Sequence, residues 1–254
     1  MKKIIFIVTI ILIITTSFTF GKKVQPKDQN PGIISGTFPV YESASSVTIT
    51  AGYGKCSQAY WQMDTDKTLP LAGSIPSGED FLYIYIDFAS VNSSSDNPAF
   101  YGSTTEPVYE NFGWYKNKDR CIGVLWINSS GQIVNFQNNS RNEYIGIGPI
   151  KRVLENGSPG TSYKTLETTA YVPVNAIGIY IYARNIDADN TSVIMIAPFE
   201  NTQSRLVNYS LKSWAATTGW LMLERGWSRD IKWYGADNDD NRFRIDFVGF
   251  RIER

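Results

Sequence analysis

Alternation of apolar and polar residues at a period of two runs through much of the chain and predicts β-strands. The segment Phe81–Phe88 reads F-L-Y-I-Y-I-D-F, and Ile177–Arg184 reads I-G-I-Y-I-Y-A-R. Each places aliphatic residues on one face and tyrosines on the other, which is typical of a strand with one face in a core. No segment keeps a helical period of 3.6 over several turns. The pattern therefore predicts an all-β protein.

A strand and a turn are predicted in the middle of the chain. Cys121–Ile127 has no polar face, which indicates a central strand. The polar residues 128–131 follow it and lead into Gln132–Phe136. This order predicts a β-hairpin in which Gly131 supplies a positive φ.

The C-terminal segment changes phase. Apolar residues occupy odd positions up to Phe247 and even positions from Val248 onward. One extra residue in a strand produces such a shift, so a β-bulge is predicted next to Gly249. The preceding strand, 229–234, is expected to pair with this one through the turn 235–241.

The strand spacing is typical of an antiparallel β-sandwich. The two tyrosine-bearing strands lie about 96 residues apart and each precedes a polar turn. This repetition favours two sandwich lobes, 37–155 and 160–254, and the alternative is one continuous large sandwich over 37–254. Residues 22–36 are polar and rich in proline and glycine, which indicates a flexible leader.

The N-terminal 21 residues have the pattern of a secretory signal peptide. Two lysines precede an apolar run, and small residues follow it up to Gly21. Cleavage after Gly21 predicts a secreted, periplasmic or cell-surface protein, and an uncleaved anchor is the alternative. Loss of Lys2 and Lys3 leaves 22 basic and 24 acidic residues, a net charge of −2. This balance does not indicate a nucleic-acid partner.

The composition restricts the chemistry. The chain contains no histidine, so it lacks the commonest general base and zinc ligand. No nucleophile elbow, phosphate-binding loop or zinc-protease motif is present. We therefore expect a protein that is not an enzyme and needs no cofactor. Cys56 and Cys121 form a disulfide in one interpretation, which an exported chain permits. They are free buried thiols in the other.

Three groups of residues are candidates for binding. Tyr83, Tyr85, Tyr180 and Tyr182 would line one face if their strands were neighbours, and tyrosine rings suit the faces of sugars. The alternative is a cross-strand ladder that only stabilises the sheet. Trp114, Tyr115 and Arg120 form the second group, either as a ligand grip or as a strand entry in which Arg120 stacks on an aromatic ring or pairs with a carboxylate. The third group is a calcium site at Asp237, Asp239 and Asp240, with plain solvated turns as the alternative.

A family resemblance rests on scattered motifs. The segment W-Y-K-N-K-D-R-C-I-G-V-L-W-I, starting at Trp114, resembles a pattern in β-rich modules of phage tail-fibre and related virion proteins. The S-T-T-E-P loop from Ser103 and the R-I-D-F-V-G-F strand from Arg244 are similar to parts of the same modules. The resemblance implies a β-rich module but no particular ligand residues. The export signal favours a cellular protein that reuses such a module.

These observations predict a secreted or envelope-associated, non-catalytic binding protein that recognises carbohydrate or another cell-surface component. A structural subunit of a surface or virion-like assembly is the first alternative. A polysaccharide-active hydrolase or lyase is a more distant one, since paired carboxylates would have to act without histidine.

Overall fold

A computed structural model describes residues 34–94, 96–138, 142–146, 151–157, 160–185, 192–198, 207–211, 216–226, 228–235 and 243–254. It confirms the all-β class. The strands are β1 (Ile34–Ser35), β2 (Pro39–Ser43), β3 (Ser46–Ile49), β4 (Gly52–Cys56), β5 (Ala59–Met63), β6 (Lys67–Pro70), β7 (Asp80–Ile86), β8 (Phe100–Ser103), β9 (Val108–Glu110), β10 (Gly113–Lys116), β11 (Asp119–Ile127), β12 (Phe136–Asn138), β13 (Glu143–Gly146), β14 (Lys151–Gly157), β15 (Gly160–Leu166), β16 (Ala176–Asn185), β17 (Ser192–Pro198), β18 (Val207–Leu211), β19 (Ala216–Met222), β20 (Ile231–Gly235) and β21 (Phe243–Ile252). A short helix, α1 (Phe88–Ser93), and a 3-10 turn, Thr169–Tyr171, complete the described elements.

The strands form antiparallel sheets. Two small sheets have the orders β1-β4-β5 and β2-β3-β6. A five-stranded sheet has the order β8-β7-β11-β10-β9, and a four-stranded sheet has the order β15-β20-β17-β18. A six-stranded sheet has the order β12-β13-β21-β16-β19, with β14 also paired to β21. None of the described helices is long and apolar enough to cross a membrane.

Two apolar cores lie within the described residues. The first is built on β7 and β11 and includes Phe250 and Ile252 from the end of β21. The second packs the inner face of β16 against β17 and β20, and it includes Phe243, Ile245 and Phe247 from the start of β21. Strand β21 therefore contributes to both cores. The six-stranded sheet combines strands that precede β15 (β12, β13 and β14) with strands that follow it (β16, β19 and β21).

The predicted β-bulge near Gly249 is confirmed. Tyr180 pairs with Gly249 while Ile181 pairs with Phe247, so Val248 is the extra residue. The bulge keeps Phe250 on the inner face of the sheet although the sequence phase has changed. Gly249 is required there because a Cβ at this position would overlap the Tyr144 carbonyl oxygen of the neighbouring strand β13.

The predicted pairing between 229–234 and the C-terminal strand is wrong. Strand β20 pairs with β15 and β17. Both edges of β21 are already occupied, by β16 on one side and by β13 and β14 on the other. No hydrogen-bonding edge of β21 remains for β20.

Two predictions hold only in part: the hairpin that follows Ile127 and the strand Phe81–Phe88. The turn after Ile127 forms, and Gly131 has a φ of 67°. The returning segment makes only an isolated bridge between Ile127 and Ile133 instead of a full hairpin ladder. Strand β7 ends at Ile86, and Asp87 then accepts a hydrogen bond from Ala89 N to cap α1. Phe88 therefore belongs to a helix, because the Asp87 side chain favours a helix start.

The predicted Cys56–Cys121 disulfide is wrong, because both residues are free, buried cysteines. The Cys56 thiol donates to the Lys118 carbonyl oxygen at 3.2 Å, and the Cys121 thiol donates to the Gly123 carbonyl oxygen at 3.4 Å. Each sulfur is thus directed at its own backbone acceptor. Burial raises the pKa of both thiols to about 12.

Neither cysteine should react while the protein is folded. A thiol needs its thiolate form to react, and burial suppresses that form at neutral pH. We expect no alkylation by iodoacetamide at pH 8 in the native state and two alkylated cysteines in guanidinium without reductant. Mass spectrometry measures both numbers. A native mass two hydrogens lighter that resists alkylation in guanidinium would instead show a disulfide.

Candidate functional site

The four candidate tyrosines do not share one face. Tyr83 and Tyr85 lie on β7 in the five-stranded sheet, whereas Tyr180 and Tyr182 lie on β16 in the six-stranded sheet. Tyr83 is 1% exposed, and the Tyr85 hydroxyl donates to the Thr105 carbonyl oxygen at 2.6 Å. The prediction of a single four-ring face is therefore wrong. Both faces of β7 are covered, and its tyrosines support the fold.

The second group, which consists of Trp114, Tyr115 and Arg120, is also buried. Arg120 is 0% exposed, and its guanidinium carbon lies 4.9 Å from the centre of the Tyr115 ring. Arg120 donates to the Tyr115 hydroxyl at 2.8 Å and to the Arg254 carbonyl oxygen at 2.6 Å. Gly113 makes room for the guanidinium, since a Cβ there would overlap it. The interpretation as a strand entry with a stacked arginine is confirmed, and the ligand grip is wrong because the group is out of reach of solvent.

The same buried region fixes residues 253 and 254 to the rest of the protein. The Trp114 indole N–H donates to Glu253 Oε2 at 3.1 Å, and Arg225 Nε donates to the same oxygen at 3.0 Å. Burial alone would raise the pKa of Glu253, but these hydrogen bonds together lower it below its usual value. Arg254 donates to the Thr37 carbonyl oxygen. These hydrogen bonds join Glu253 and Arg254 to parts of the chain that are distant in sequence, and their role is structural.

The remaining candidates, Tyr180 and Tyr182, lie on the outer face of the six-stranded sheet. The inner residues of β16, such as Ile179 and Ile181, belong to the second core, so the alternate residues point away from it. Residues directly opposite each other on neighbouring antiparallel strands share a face. Tyr180 is opposite Trp220, and their ring centres are 5.0 Å apart. Tyr182 is opposite Thr218 on one side and Asp246 on the other.

Charged residues surround these aromatic rings on the same face. The registers of β13, β14, β16 and β21 place six of them there: Glu143, Arg152, Arg184, Arg244, Asp246 and Arg251. We call this set, together with Tyr180, Tyr182 and Trp220, the aromatic–arginine face. The guanidinium carbon of Arg251 lies 5.2 Å from the centre of the Trp220 ring. The face therefore combines flat apolar rings with hydrogen-bond donors.

Ion pairs hold several of the arginines in place. Asp246 accepts from Arg244 Nε at 2.7 Å and from Arg152 Nε at 3.3 Å, and its side chain is only 2% exposed. Glu143 pairs with Arg251 across β13 and β21. These carboxylates are more deeply buried than the arginines they bind. The ion pairs restrict the side chains of these arginines before a ligand arrives, which lowers the entropy lost on binding.

The face is open to solvent. Tyr180, Tyr182 and Trp220 are partly exposed, Thr218 is exposed, and the Arg152 side chain is 39% exposed. Along β16 the face runs from Gly178 to Arg184, which corresponds to about 20 Å of strand. Such a surface can stack the apolar sides of sugar rings on tyrosine and tryptophan while the arginines bind hydroxyl or acidic groups.

Trp220 and the residues of β21 were not recognised from the sequence as part of a site. In T-G-W-L-M, Leu221 alternates with Trp220 and Met222, which is the usual signal of an inner and an outer face. In β21 the polar residues also change phase at the bulge, because Asp246 and Arg251 stand at even and odd positions. The bulge brings them onto one face. The alternation of polar residues in β21, read with the shift of one position at the bulge, predicts that Asp246 and Arg251 share a face.

A second polar cluster lies on the five-stranded sheet. The Tyr101 hydroxyl donates to Asp119 Oδ2 at 2.6 Å, and Lys116 Nζ lies 5.2 Å from the centre of the Tyr101 ring. Lys116 also donates to Ser103 Oγ at 3.0 Å. The Tyr85 ring stacks on Tyr101 with centres 5.5 Å apart. These polar groups satisfy one another, so the cluster has little left to offer a ligand.

The predicted calcium ligands Asp237, Asp239 and Asp240 lie outside the described residues. Another acidic segment of the sequence, with Asp187 and Asp189, also lies outside the described residues. Among the residues that the structure does describe, no three acidic or cysteine side chains come together in a group able to hold a metal ion.

Comparisons with known proteins do not extend this picture. A scan against models of known protein families gives no match for this chain, and a search of curated proteins finds no significant similarity. The geometry of the aromatic–arginine face is therefore the basis for assigning a function.

Proposed function

We propose that the protein is an exported, non-catalytic binding protein that recognises carbohydrate through its aromatic–arginine face. The observation that carries the proposal is the outward pair Tyr180 and Trp220, joined by Tyr182 and by arginines on the same face of the six-stranded sheet. Tyr180, Tyr182 and Trp220 are partly exposed, so a ligand can reach part of each ring. Sugar rings fit such rings because their C–H groups stack on the aromatic face while their hydroxyls reach polar neighbours.

The rigidity of strand β16 favours a binding role for Tyr180 and Tyr182 over a role that only stabilises the sheet. Strand β16 pairs along its length with β19 on one side and β21 on the other, and Ile179, Ile181 and Ala183 anchor it in the second core. Sites on regular strands hold their side chains more accurately than sites on loops. A ligand therefore meets a surface that is already in its binding shape.

The signal sequence supports a location where such ligands occur. A secretory signal at residues 1–21 would deliver the protein outside the cytoplasm, to a polysaccharide-rich compartment or surface. The lack of histidine and of recognisable catalytic motifs favours recognition without turnover.

A glycan array tests the proposal. The wild-type protein should bind a defined subset of glycans, and Trp220→Ala should weaken binding at least about tenfold, because truncating a tryptophan that anchors a ligand costs about 2 kcal/mol or more. Tyr182→Ala should have a smaller effect in the same direction. Surface plasmon resonance on the array hits measures the affinities.

The matched control is Tyr53→Ala. Tyr53 lies on β4 in a different sheet and is 37% exposed, so its loss should leave glycan binding unchanged. Circular dichroism confirms that each variant is folded. Wild-type protein that binds no glycan, or a Trp220→Ala variant that binds as well as Tyr53→Ala, would refute the proposal.

A further inference from the structure

We infer that Arg251 holds the Trp220 ring in its binding orientation and that Gly178 provides the space in which it does so. This inference rests on the proposed function and names two positioning residues of the same face. The Arg251 guanidinium carbon lies 5.2 Å from the centre of the Trp220 ring, although the two residues stand on different strands. A planar guanidinium stacks on aromatic rings. The contact therefore restricts the orientations that the indole can adopt.

The contact between Arg251 and Trp220 spans a whole strand. Arg251 belongs to β21 and Trp220 to β19, and β16 lies between them in the sheet. Neighbouring strands are about 4.8 Å apart, so the backbones of β21 and β19 are separated by about 10 Å. Gly178 on β16 is directly opposite Arg251 on one side and Met222 on the other, and directly opposite residues share a face. Because residue 178 has no side chain, the arginine can extend over β16 toward the indole.

The packing around Gly178 shows how closely the arginine and the indole approach each other. Gly178 is buried, although Tyr180 on the same face is partly exposed. A Cβ at Gly178 would lie 3.4 Å from Trp220 Cε3 and 3.5 Å from Arg251 Cβ. A single methyl group would fit at these distances, whereas the two methyl groups of valine would extend beyond Cβ into the space that the ring and the arginine occupy. Position 178 therefore controls whether Arg251 reaches Trp220.

An ion pair fixes Arg251 in this arrangement. Glu143 on β13 is directly opposite Arg251 and pairs with its guanidinium. Glu143 is only 7% exposed, so its carboxylate is itself held by the surrounding protein. Glu143, Arg251 and Trp220 thus form a row of contacts across the sheet. A ring that is held before binding loses less conformational entropy when a glycan stacks on it.

Two substitutions break the contact in different ways. Arg251→Lys keeps a positive charge for Glu143 but lacks the planar guanidinium. Gly178→Val keeps Arg251 but obstructs its approach to Trp220, so its effect separates positioning of the ring from a direct contact between Arg251 and the glycan. Arg251 and Trp220 belong to neither apolar core, so both variants should fold, which circular dichroism checks.

The first measurement uses the protein without any glycan. The ¹⁵N order parameter of the Trp220 indole reports motion of the ring on the picosecond to nanosecond timescale, and Trp220→Phe assigns its signal. The order parameter should be high in the wild-type protein and lower in Arg251→Lys and Gly178→Val. A role of Arg251 in stability alone would leave it unchanged in the folded variants.

The second measurement repeats the glycan array with the same variants. Arg251→Lys should lower the affinity for the bound glycans about two- to fivefold, which corresponds to one exposed cation–π contact. Gly178→Val should lower it at least as much, and Gly178→Ala should have a smaller effect.

Two matched controls accompany these variants. Arg225 also lies over an aromatic ring, 3.6 Å from the centre of Tyr109, and also pairs with a glutamate, Glu253. Tyr109 belongs to the five-stranded sheet, so Arg225→Lys should leave glycan binding unchanged. Gly73→Val adds the same side chain as Gly178→Val at a position where nothing lies within 4 Å of the new Cβ, and it should also bind like the wild-type protein.

The outcomes separate this inference from the proposed function. Glycan binding by the wild-type protein together with equal affinities of Arg251→Lys and Gly178→Val would overturn the positioning role and leave carbohydrate recognition intact. Weaker binding with an unchanged order parameter of Trp220 would also overturn it. If Gly178→Val does not fold, Arg251→Lys decides by the same two measurements. A wild-type protein that binds no glycan would refute the proposed function and this inference with it.

Discussion

Gly249→Ala is expected to destabilise the protein by an amount near the upper end of the roughly 1–3 kcal/mol that overpacking costs. The added methyl group would overlap the Tyr144 carbonyl oxygen on β13, which is backbone and cannot rotate away. Relief requires β21 and β13 to separate at the bulge. Strand β21 contributes apolar side chains to both cores, so the displacement affects both of them. Urea denaturation followed by fluorescence measures the change in unfolding free energy.

Gly73→Ala is the matched control for this substitution. Nothing lies within 4 Å of a Cβ at Gly73, so the same chemical change should cost almost nothing there. If Gly249→Ala were as stable as Gly73→Ala, the close approach of the two strands at the bulge would be contradicted. Gly249→Ala should also bind glycans more weakly than the wild-type protein, because Gly249 lies opposite Tyr180.

Arg120→Met is expected to lower the unfolding free energy by about 2–6 kcal/mol, because two hydrogen bonds of the buried guanidinium are lost. The substitution leaves the Arg254 carbonyl oxygen and the Tyr115 hydroxyl without their buried donor, and each such loss costs about 1–3 kcal/mol. Methionine fills part of the volume, so the effect reports mainly the lost hydrogen bonds. Thermal and urea denaturation should both detect it.

Lys118→Met is the control for Arg120→Met. Lys118 is exposed in the turn just before β11, and its ammonium group lies 5.4 Å from the centre of the Phe88 ring, so its removal should cost at most about 1 kcal/mol. A fully stable Arg120→Met would show that burying the guanidinium costs as much as its contacts contribute, which occurs for some buried charges. Arg120 would then make no net contribution to stability.

Local patterns in the sequence predicted the class of the fold and several of its details. The alternation in β7 and β16 identified strands, and the phase change in R-F-R-I-D-F-V-G-F identified the bulge. These features depend on residues close in sequence, whose spacing directly determines which face they occupy. The grouping of strands into sheets depends on long-range pairing, so the partners of β20 were predicted incorrectly.

The contrast between local patterns and long-range pairing also explains which residues of the candidate site were predicted correctly. Tyr180 and Tyr182 on β16 were recognised because they alternate with Ile179 and Ile181. Tyr83 and Tyr85 have the same pattern, but a second layer covers them, and nothing near them in the sequence indicates that layer. Trp220 enters the face from a strand about 40 residues away. Only the sheet register places it beside Tyr180.

The most direct test of the central claim follows the tryptophan indole N–H signals by NMR during titration with a bound oligosaccharide. The protein has seven tryptophans, and Trp220→Phe assigns the signal of Trp220. That signal should shift until the face is saturated, while those of Trp61 and Trp114, which are buried elsewhere, stay constant. Saturation of binding with an unchanged Trp220 signal would contradict the assignment of carbohydrate recognition to the aromatic–arginine face.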